Sequence, residues 1–215
     1  MKIKKTPANL ANETSYRQIV RLFCGAGINL EKYKMEPYPN HSRVHFLYLG
    51  RIMKEKGIEE LFYAVRRLKE ENEDFVLDLA GFFEDIYKKQ VEELEQLGIA
   101  HFYGFQSDPR PFYAEADCVV LPSYHEGMSN VLLEAAATGR PVITSNIPGC
   151  RESVENGKSG LLVEVKNKEM LYQAMKKMLH CSREEREKMG KAGREKMKRE
   201  FRKEAVVERT VRSLE

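Results

Sequence analysis

Hydrophobic positions follow two alternating patterns from Arg43 onward: short runs of β-branched and aromatic residues, and longer amphipathic segments. The run RVHFLYLG, which ends at Gly50, predicts the first strand. The next segment, GIEELFYAVRRLKEE, sets charges against apolar residues at helical spacing, namely Ile58, Leu61, Phe62, Val65 and Leu68. Because strand and helix patterns alternate in this way, we expect repeated βαβ units.

The same cycle continues through the middle of the chain. Strand patterns occur in FVLDLAG, IAHFYGF, CVVLPS, PVITSN and GLLVE, and helical or turn patterns separate most of them in EDIYKKQVEELEQLG, PRPFYAEA and NVLLEAAATG. Parallel strands need long crossovers, and right-handed crossovers place helices above and below the sheet. The sequence therefore predicts an α/β fold, a Rossmann-like doubly wound parallel sheet of about six strands with helices on both faces.

Three segments differ in their patterns. Residues 1–42 contain one apolar run and then a polar, proline-bearing stretch, which indicates a remnant and a linker. Residues 43–181 contain the strand and helix alternation. Residues 182–215 are helical throughout, and we expect them to form crossover helices, a helical C-terminal extension.

Composition narrows the classes of function. The net charge of +3 over 215 residues is far from that of an obligate nucleic-acid binder. The four cysteines have no paired spacing, so they predict neither a zinc site nor a redox motif. No segment approaches the roughly 20 consecutive apolar residues that span a bilayer. We expect a soluble, cytoplasmic protein that binds no nucleic acid.

Ligands of doubly wound sheets bind beyond the carboxyl ends of the strands, so the loops there are the candidate sites. The loop GRIMKEKG begins at Gly50 and holds two cations, Arg51 and Lys56. Such cations can neutralise a diphosphate leaving group whose negative charge grows as a glycosidic bond breaks. Basic residues near a helix start can equally be solvated without a ligand. The loop alone leaves both interpretations open.

The loop SYHEGMSN leads into the predicted helix NVLLEAAATG. Ser129 or Asn130 can cap this helix, and the amides of Gly127, Met128 and Ser129 then face the crevice at the positive end of the helix dipole. Such an end binds phosphate or sugar oxygens.

Two glutamates, Glu126 and Glu134, bracket this turn. Glu134 stands among apolar residues, where an unpaired carboxylate is costly, so it needs a partner. A vicinal diol such as a ribose supplies two donors to one carboxylate. A glutamate that only complements the helix dipole is the alternative for Glu134.

The stretch from LPSYHEG to SGLLV resembles the donor-site signature of family 4 glycosyltransferases, which have the B-type fold of two facing Rossmann-like domains. The E-x7-E element of that family falls on Glu126 and Glu134, and GRIMKEKG is similar to its basic diphosphate loop. CGAGINLEKY resembles the segment that joins its two domains. The likeness extends from about Phe23 to Leu179, and we expect the chain to be the C-terminal, donor-binding domain of such an enzyme.

The resemblance implies a role for each matching residue. The loop from Gly50 would hold the diphosphate through Arg51 and Lys56, and Glu134 would bind the ribose. Glu126 would face the donor sugar near its anomeric centre, so Arg51, Lys56 and Glu126 are the candidate catalytic residues.

The remaining donor contacts come from two loops. The amides of Gly127, Met128, Ser129 and Asn130 would hold sugar hydroxyls and the diphosphate. Phe105 and Gln106 stand where the family contacts the base through backbone groups. Many members have an aromatic residue or leucine followed by proline where Met128 and Ser129 stand, so the resemblance does not fix the details of the sugar contacts here.

The activity implied is transfer of a glycosyl unit from a nucleoside-diphosphate sugar, most simply a UDP-sugar, with retention of configuration. The family generally needs no metal, and we expect no cofactor. The acceptor, a sugar or a lipid-linked sugar of polysaccharide or glycolipid assembly, would bind through a missing or separate N-terminal domain. We therefore expect the isolated chain to be inactive.

Two alternatives stay open. One is a non-catalytic nucleotide-sugar-binding module or a subunit of a split transferase. The other is a sugar-nucleotide epimerase of the same architecture, although the E-x7-E element fits transferases better.

Three further features have structural interpretations. His125 neighbours Glu126, but a packing role is favoured over a general base. PGCRES predicts a loop in which Gly149 allows close approach and Glu152 opens a helical turn. The basic stretch KMKREFRK predicts a solvated helix, with weak contact to anionic lipid at the inner face of the membrane as the alternative.

Overall fold

The computed structural model describes residues 27–84 and 86–212. Six parallel strands form one sheet in the order β3-β2-β1-β4-β5-β6. Their bounds are Val44–Leu49 (β1), Phe75–Ala80 (β2), Ala100–Phe102 (β3), Cys118–Leu121 (β4), Val142–Ser145 (β5) and Gly160–Val163 (β6). The predicted α/β fold with its parallel six-stranded sheet is confirmed.

Helices follow the strands in the predicted alternation. They are Ile58–Glu70 (α1), Lys88–Gln96 (α2), Arg110–Glu115 (α3), Asn130–Ala137 (α4), Lys168–His180 (α5), Arg183–Lys196 (α6) and Lys203–Arg212 (α7). Short 3₁₀ turns occupy Lys54–Lys56 and Arg151–Ser153, and a π-helical turn at Met197–Phe201 joins α6 to the last helix.

The core lies between the sheet and its two helical layers. Every residue of β2 is buried. Because successive residues of a strand point to opposite faces, both faces of the sheet must be covered there. Helix α1 packs on α5, and α4 packs on α6. The C-terminal helices are therefore part of the packing around the sheet.

One polar side chain in the buried strand β2 has its own partners. Asp78 Oδ2 lies 2.8 Å from His45 Nδ1, and the hydroxyl of Tyr103 donates to Asp78 Oδ1 at 3.1 Å. His180 Nε2 likewise lies 2.7 Å from Glu73 Oε1. Folding therefore brings each of these histidines to an acid that is distant in the sequence.

Two arginines attach the segment before β1 to the domain. Arg140 donates to the carbonyl of Pro37 at 2.7 Å, and Arg183 donates to the carbonyl of Tyr38 at 2.7 Å. Ile28 accepts a backbone hydrogen bond from Lys203 at 3.1 Å. The described part of residues 1–42 is thus packed against the sheet domain, while the domain boundaries at 42 and 182 stay predictions. Cys24 and Gly25 of the segment CGAGINLEKY lie outside the described residues.

In the described part of the chain, no helix is both long and apolar enough to cross a membrane. The cations of the basic stretch pair with glutamates: Lys198 with Glu195 at 2.6 Å, and Arg199 with Glu155 at 2.6 Å. This pairing favours the interpretation of a solvated helix. Contact with a membrane stays a prediction.

Candidate functional site

The strand order reverses direction between β1 and β4. Strands β1 to β3 follow one another toward one edge of the sheet, and strands β4 to β6 follow one another toward the other edge. Loops leaving the carboxyl ends of such neighbouring strands diverge and open a crevice. The loop after β1 and the loop after β4 meet there, since the amide of Tyr124 donates to the carbonyl of Glu55 at 2.8 Å. GRIMKEKG and SYHEGMSN are therefore adjacent in space.

Gly57 permits this close approach. It stands between the 3₁₀ turn and α1 with a φ of 71°, a left-handed conformation that favours glycine. A Cβ at this position would lie 2.1 Å from the carbonyl oxygen of Pro122. Only a glycine allows the loop holding Lys56 to lie this close to the loop after β4.

Lys56 and Glu126 form an ion pair in the crevice. Lys56 Nζ donates to Glu126 Oε1 at 2.6 Å, and the hydroxyl of buried Ser123 donates to the same oxygen at 2.8 Å. The two charged side chains are only 17% and 13% exposed. The structure brings together two predicted site residues and adds Ser123, which the sequence does not mark as functional.

Arg51 pairs with a residue that the sequence prediction lacks. Its Nη1 donates to both carboxylate oxygens of Glu84, at 2.8 and 2.9 Å, and its side chain is 47% exposed. Hydrogen bonding to Glu84 raises the pKa of the guanidinium above its ordinary value. Glu84 follows β2, so its place at the carboxyl edge of the sheet was the available signal.

Helix α4 begins at the crevice, but its first residues differ from the prediction. Ser129 occupies the N-cap position without a side-chain capping bond. The prediction that the Ser129 amide faces a ligand is wrong, because this amide donates to the carbonyl of Gly149 at 3.0 Å. Gly127 and Asn130 are exposed, and Met128 is half-buried.

The predicted close approach at Gly149 is confirmed. Its φ is 85°, and a Cβ there would lie 1.5 Å from the carbonyl oxygen of Gly127. The amide of Gly149 donates to Glu152 Oε2 at 2.7 Å. PGCRES therefore supports the turn that contains Glu126.

Glu134 lies in α4, half-buried, with a tyrosine as its partner. The hydroxyl of Tyr113, on α3, donates to Glu134 Oε2 at 2.8 Å. The inferred need for a partner is thus met within the protein. An ionised carboxylate has about four acceptor positions, so the bond to Tyr113 leaves capacity for a ligand diol.

The remaining predicted site residues, Phe105 and Gln106, follow β3. Phe105 is 68% exposed, and its ring centroid lies 6.3 Å from that of Phe82. The Gln106 side-chain amide donates to the carbonyl of Tyr103 at 2.7 Å. Their contact with a base stays a prediction. Among the described residues, no group of three His, Cys, Asp or Glu side chains could hold a metal ion.

Residues 31–196 match the family model described as "Glycosyl transferases group 1". This match spans far more than half of the chain and includes every predicted site residue. The chain belongs to the group 1 glycosyl transferases. The resemblance drawn from the E-x7-E element is confirmed at the level of the family.

Similar group 1 proteins include a curated relative from Staphylococcus aureus, "Capsular polysaccharide biosynthesis glycosyltransferase CapM", which is 28% identical over 97% of this chain and 57% of its own length. The lipopolysaccharide core biosynthesis glycosyltransferase LpsE of Rhizobium meliloti is 32% identical over 74% of this chain and 46% of its own length. The chain spans about half the length of these relatives.

Solved structures share the fold. Sucrose-phosphate synthase from Thermosynechococcus elongatus superposes with a TM-score of 0.73 at 26% identity, covering 89% of this chain and 52% of that one.

Proposed function

We propose that this group 1 chain binds a nucleoside-diphosphate sugar in the crevice and forms the donor-binding half of a retaining glycosyltransferase. The observation that supports it most is the ion pair of Lys56 with Glu126 beside the N-terminus of α4, with Glu134 on the same helix. In this proposal a cation, a helix dipole and two carboxylates line one crevice. This combination suits a ligand that has both a diphosphate and sugar hydroxyls.

Each residue has one part in the proposed complex. Arg51 and Lys56 bind the diphosphate and neutralise the charge that develops on it as the glycosidic bond breaks. Glu134 accepts hydrogen bonds from the ribose. Phe105 and Gln106 contact the base through their backbone groups.

The ion pair of Lys56 with Glu126 would couple the binding of the diphosphate to the binding of the donor sugar. Lys56 neutralises Glu126 in the crevice. A bound diphosphate competes for the ammonium, which leaves Glu126 Oε1 as an acceptor for a hydroxyl of the donor sugar. The diphosphate and the sugar are therefore recognised together.

UDP is the proposed nucleotide, as the resemblance to family 4 glycosyltransferases implies. The acceptor is a sugar or a lipid-linked sugar, bound through a domain beyond this chain or on a separate one. We propose no metal or cofactor, and a cytoplasmic location at or near the inner membrane face.

Calorimetric titration with UDP, GDP and ADP and their sugars tests donor binding. We expect one nucleoside diphosphate to bind and Glu134→Ala to weaken it about 10- to 100-fold, the equivalent of a lost charged hydrogen bond. A folded Glu134→Ala protein with unchanged affinity would overturn the assignment of Glu134.

The second candidate is a non-catalytic nucleotide-sugar-binding module or a subunit of a split transferase, with the same crevice residues as its support. Transfer assays with an acceptor domain fused or added in trans separate the two. A catalytic donor half gains turnover by orders of magnitude, whereas a binding module gains none. Glu126→Gln should impair this transfer more than donor binding.

A further inference from the structure

Two tyrosines from different parts of the chain converge on Glu134. Tyr113, on α3, is fully buried and donates to Glu134 Oε2 at 2.8 Å. Tyr33, in the segment before β1, is 6% exposed. Its ring meets that of Tyr113 edge-on, with centroids 6.3 Å apart and planes at 72°. Burial and the nearby Glu134 carboxylate raise the pKa of Tyr33, so both hydroxyls stay protonated near neutral pH.

Buried arginines hold the backbone of each tyrosine. Arg140 Nε donates to the carbonyl of Tyr113 at 2.7 Å. Arg194 Nη1 donates to the carbonyl of Tyr33 at 2.6 Å and to that of Ala137 at 2.7 Å. Since Ala137 is the last residue of α4, Arg194 attaches Tyr33 to the helix that contains Glu134.

A short turn fixes the other side of Tyr33. Asn29 Oδ1 accepts the amides of Glu31 and Lys32 at 3.0 and 2.9 Å, and the Asn29 carbonyl accepts the amide of Tyr33 at 3.0 Å. The segment before β1 therefore presents Tyr33 in one position. A solvated linker would need none of these contacts.

We propose that Tyr113 and Tyr33 are positioning residues that orient Glu134 for a ribose diol and so set the preference for ribonucleotides over 2′-deoxyribonucleotides. This inference rests on the proposed donor site. The segment before β1, which the sequence indicates is a linker, thereby contributes to nucleotide selectivity.

The physical reason lies in the freedom of a glutamate side chain. A glutamate side chain whose carboxylate has no fixed donor samples several rotamers. Binding a diol then costs the conformational entropy of ordering that side chain. The Tyr113 hydroxyl occupies part of the acceptor capacity of Glu134 and holds the plane of the carboxylate in advance, and the ring of Tyr33 packs edge-on against that of Tyr113. Acceptor positions on both carboxylate oxygens remain for two adjacent ribose hydroxyls.

The test compares a nucleoside diphosphate with its 2′-deoxy form, using whichever of UDP, GDP or ADP binds the full chain best. We expect wild-type protein to prefer the ribonucleotide about 10-fold or more. Tyr113→Phe should reduce the preference to less than threefold by weakening ribonucleotide binding, with the 2′-deoxy form nearly unaffected. Tyr33→Phe should act in the same direction and serves as the second variant if Tyr113→Phe folds poorly.

Tyr172→Phe is the matched control. Tyr172 is 2% exposed and donates to the carboxylate of Glu71 on the surface between α1 and α5. The Tyr172→Phe variant should retain the wild-type preference for ribonucleotides. Thermal unfolding of each variant separates loss of selectivity from loss of fold.

The outcomes distinguish the inference from the proposed function. A wild-type preference that both folded Phe variants retain overturns the positioning role and leaves the donor site standing. Binding without a ribose preference in wild-type protein overturns the inference and the ribose role of Glu134 but leaves nucleotide binding standing. Absence of nucleotide binding overturns both the inference and the proposed function.

Discussion

Lys56 and Glu126 lie 70 positions apart in the sequence, yet the ammonium donates to the carboxylate at 2.6 Å. Both side chains are mostly buried at the junction of two loops. We therefore expect the contribution of each charged group to stability and to ligand binding to depend on the presence of the other.

A double-mutant cycle measures this dependence. We expect Lys56→Met and Glu126→Gln each to lower the free energy of unfolding by about 1–3 kcal/mol, because each leaves a partly buried charged group without its partner. The double variant should lose less than the sum. The exposed pair Lys88 and Glu92, 75% and 51% exposed, is the control and should couple by less than about 0.5 kcal/mol. Additive losses at Lys56 and Glu126, measured by urea unfolding, would contradict the pairing.

Lys56→Ala should weaken the binding of a nucleoside diphosphate without weakening the binding of the nucleoside. We expect UDP affinity to fall about 10- to 100-fold, because a charged hydrogen bond is lost, while uridine affinity stays within about twofold. Calorimetric titration of both ligands makes the comparison. Equal losses for UDP and uridine would point to a folding defect and remove Lys56 from the diphosphate site.

Glu84→Gln should tighten diphosphate binding. Glu84 holds the Arg51 guanidinium through two hydrogen bonds at the surface. Without its charge, Arg51 is free for the ligand, and we expect UDP affinity to rise about two- to fivefold, more at low salt. Glu93→Gln is the control, since Glu93 pairs with Arg66 at 3.1 Å on the outer helices. Weaker UDP binding in Glu84→Gln would show that Glu84 positions Arg51 instead of competing for it.

Gly149→Ala should disrupt the turn that holds Glu126. Its Cβ would lie 1.5 Å from a backbone oxygen, whereas a Cβ at Gly157, with a similar φ of 77°, meets open space. We expect Gly149→Ala to cost about 1–3 kcal/mol more than Gly157→Ala in urea unfolding, because only the first adds a clash to backbone strain. Equal losses in the free energy of unfolding for the two variants would show that the loop rearranges to accommodate the Cβ at position 149 without destabilising the protein.

Tyr113 should make stability fall at alkaline pH. Burial, with Glu134, raises its pKa well above the ordinary 10.0, so the unfolded chain loses this proton first. Its contribution is complete below pH 10 and declines as pH rises, by up to about 1.4 kcal/mol per pH unit. Tyr113→Phe should flatten the decline between pH 10 and 11 in urea unfolding relative to wild type. An unchanged slope would show that the hydroxyl titrates normally in the folded protein.

The fold was predictable from local patterns. Each strand run and each amphipathic segment repeats on a scale of 4 to 15 residues, and parallel pairing follows from their alternation. The loops after β1 and β4 were likewise predictable as site elements, because carboxyl strand ends share one edge. Glu126 and Glu134 could be singled out because their spacing relative to one helix start is local.

Most partner choices were not predictable, because they depend on contacts between residues far apart in the sequence, such as 33 positions for Arg51 with Glu84 and 161 for Arg194 with Tyr33. Glu84 reaches Arg51 only after β1 and β2 pair, and Tyr33 reaches the region of Glu134 only after Arg194 of α6 bridges it to α4. Ser129 was expected to offer its amide, but tertiary packing directs that amide to Gly149. Sequence periodicity thus determined the sheet and the loops of this protein, whereas only the folded chain decided which charge and which hydroxyl satisfies each carboxylate, since hydrogen bonds act over about 3 Å of space and not along the chain.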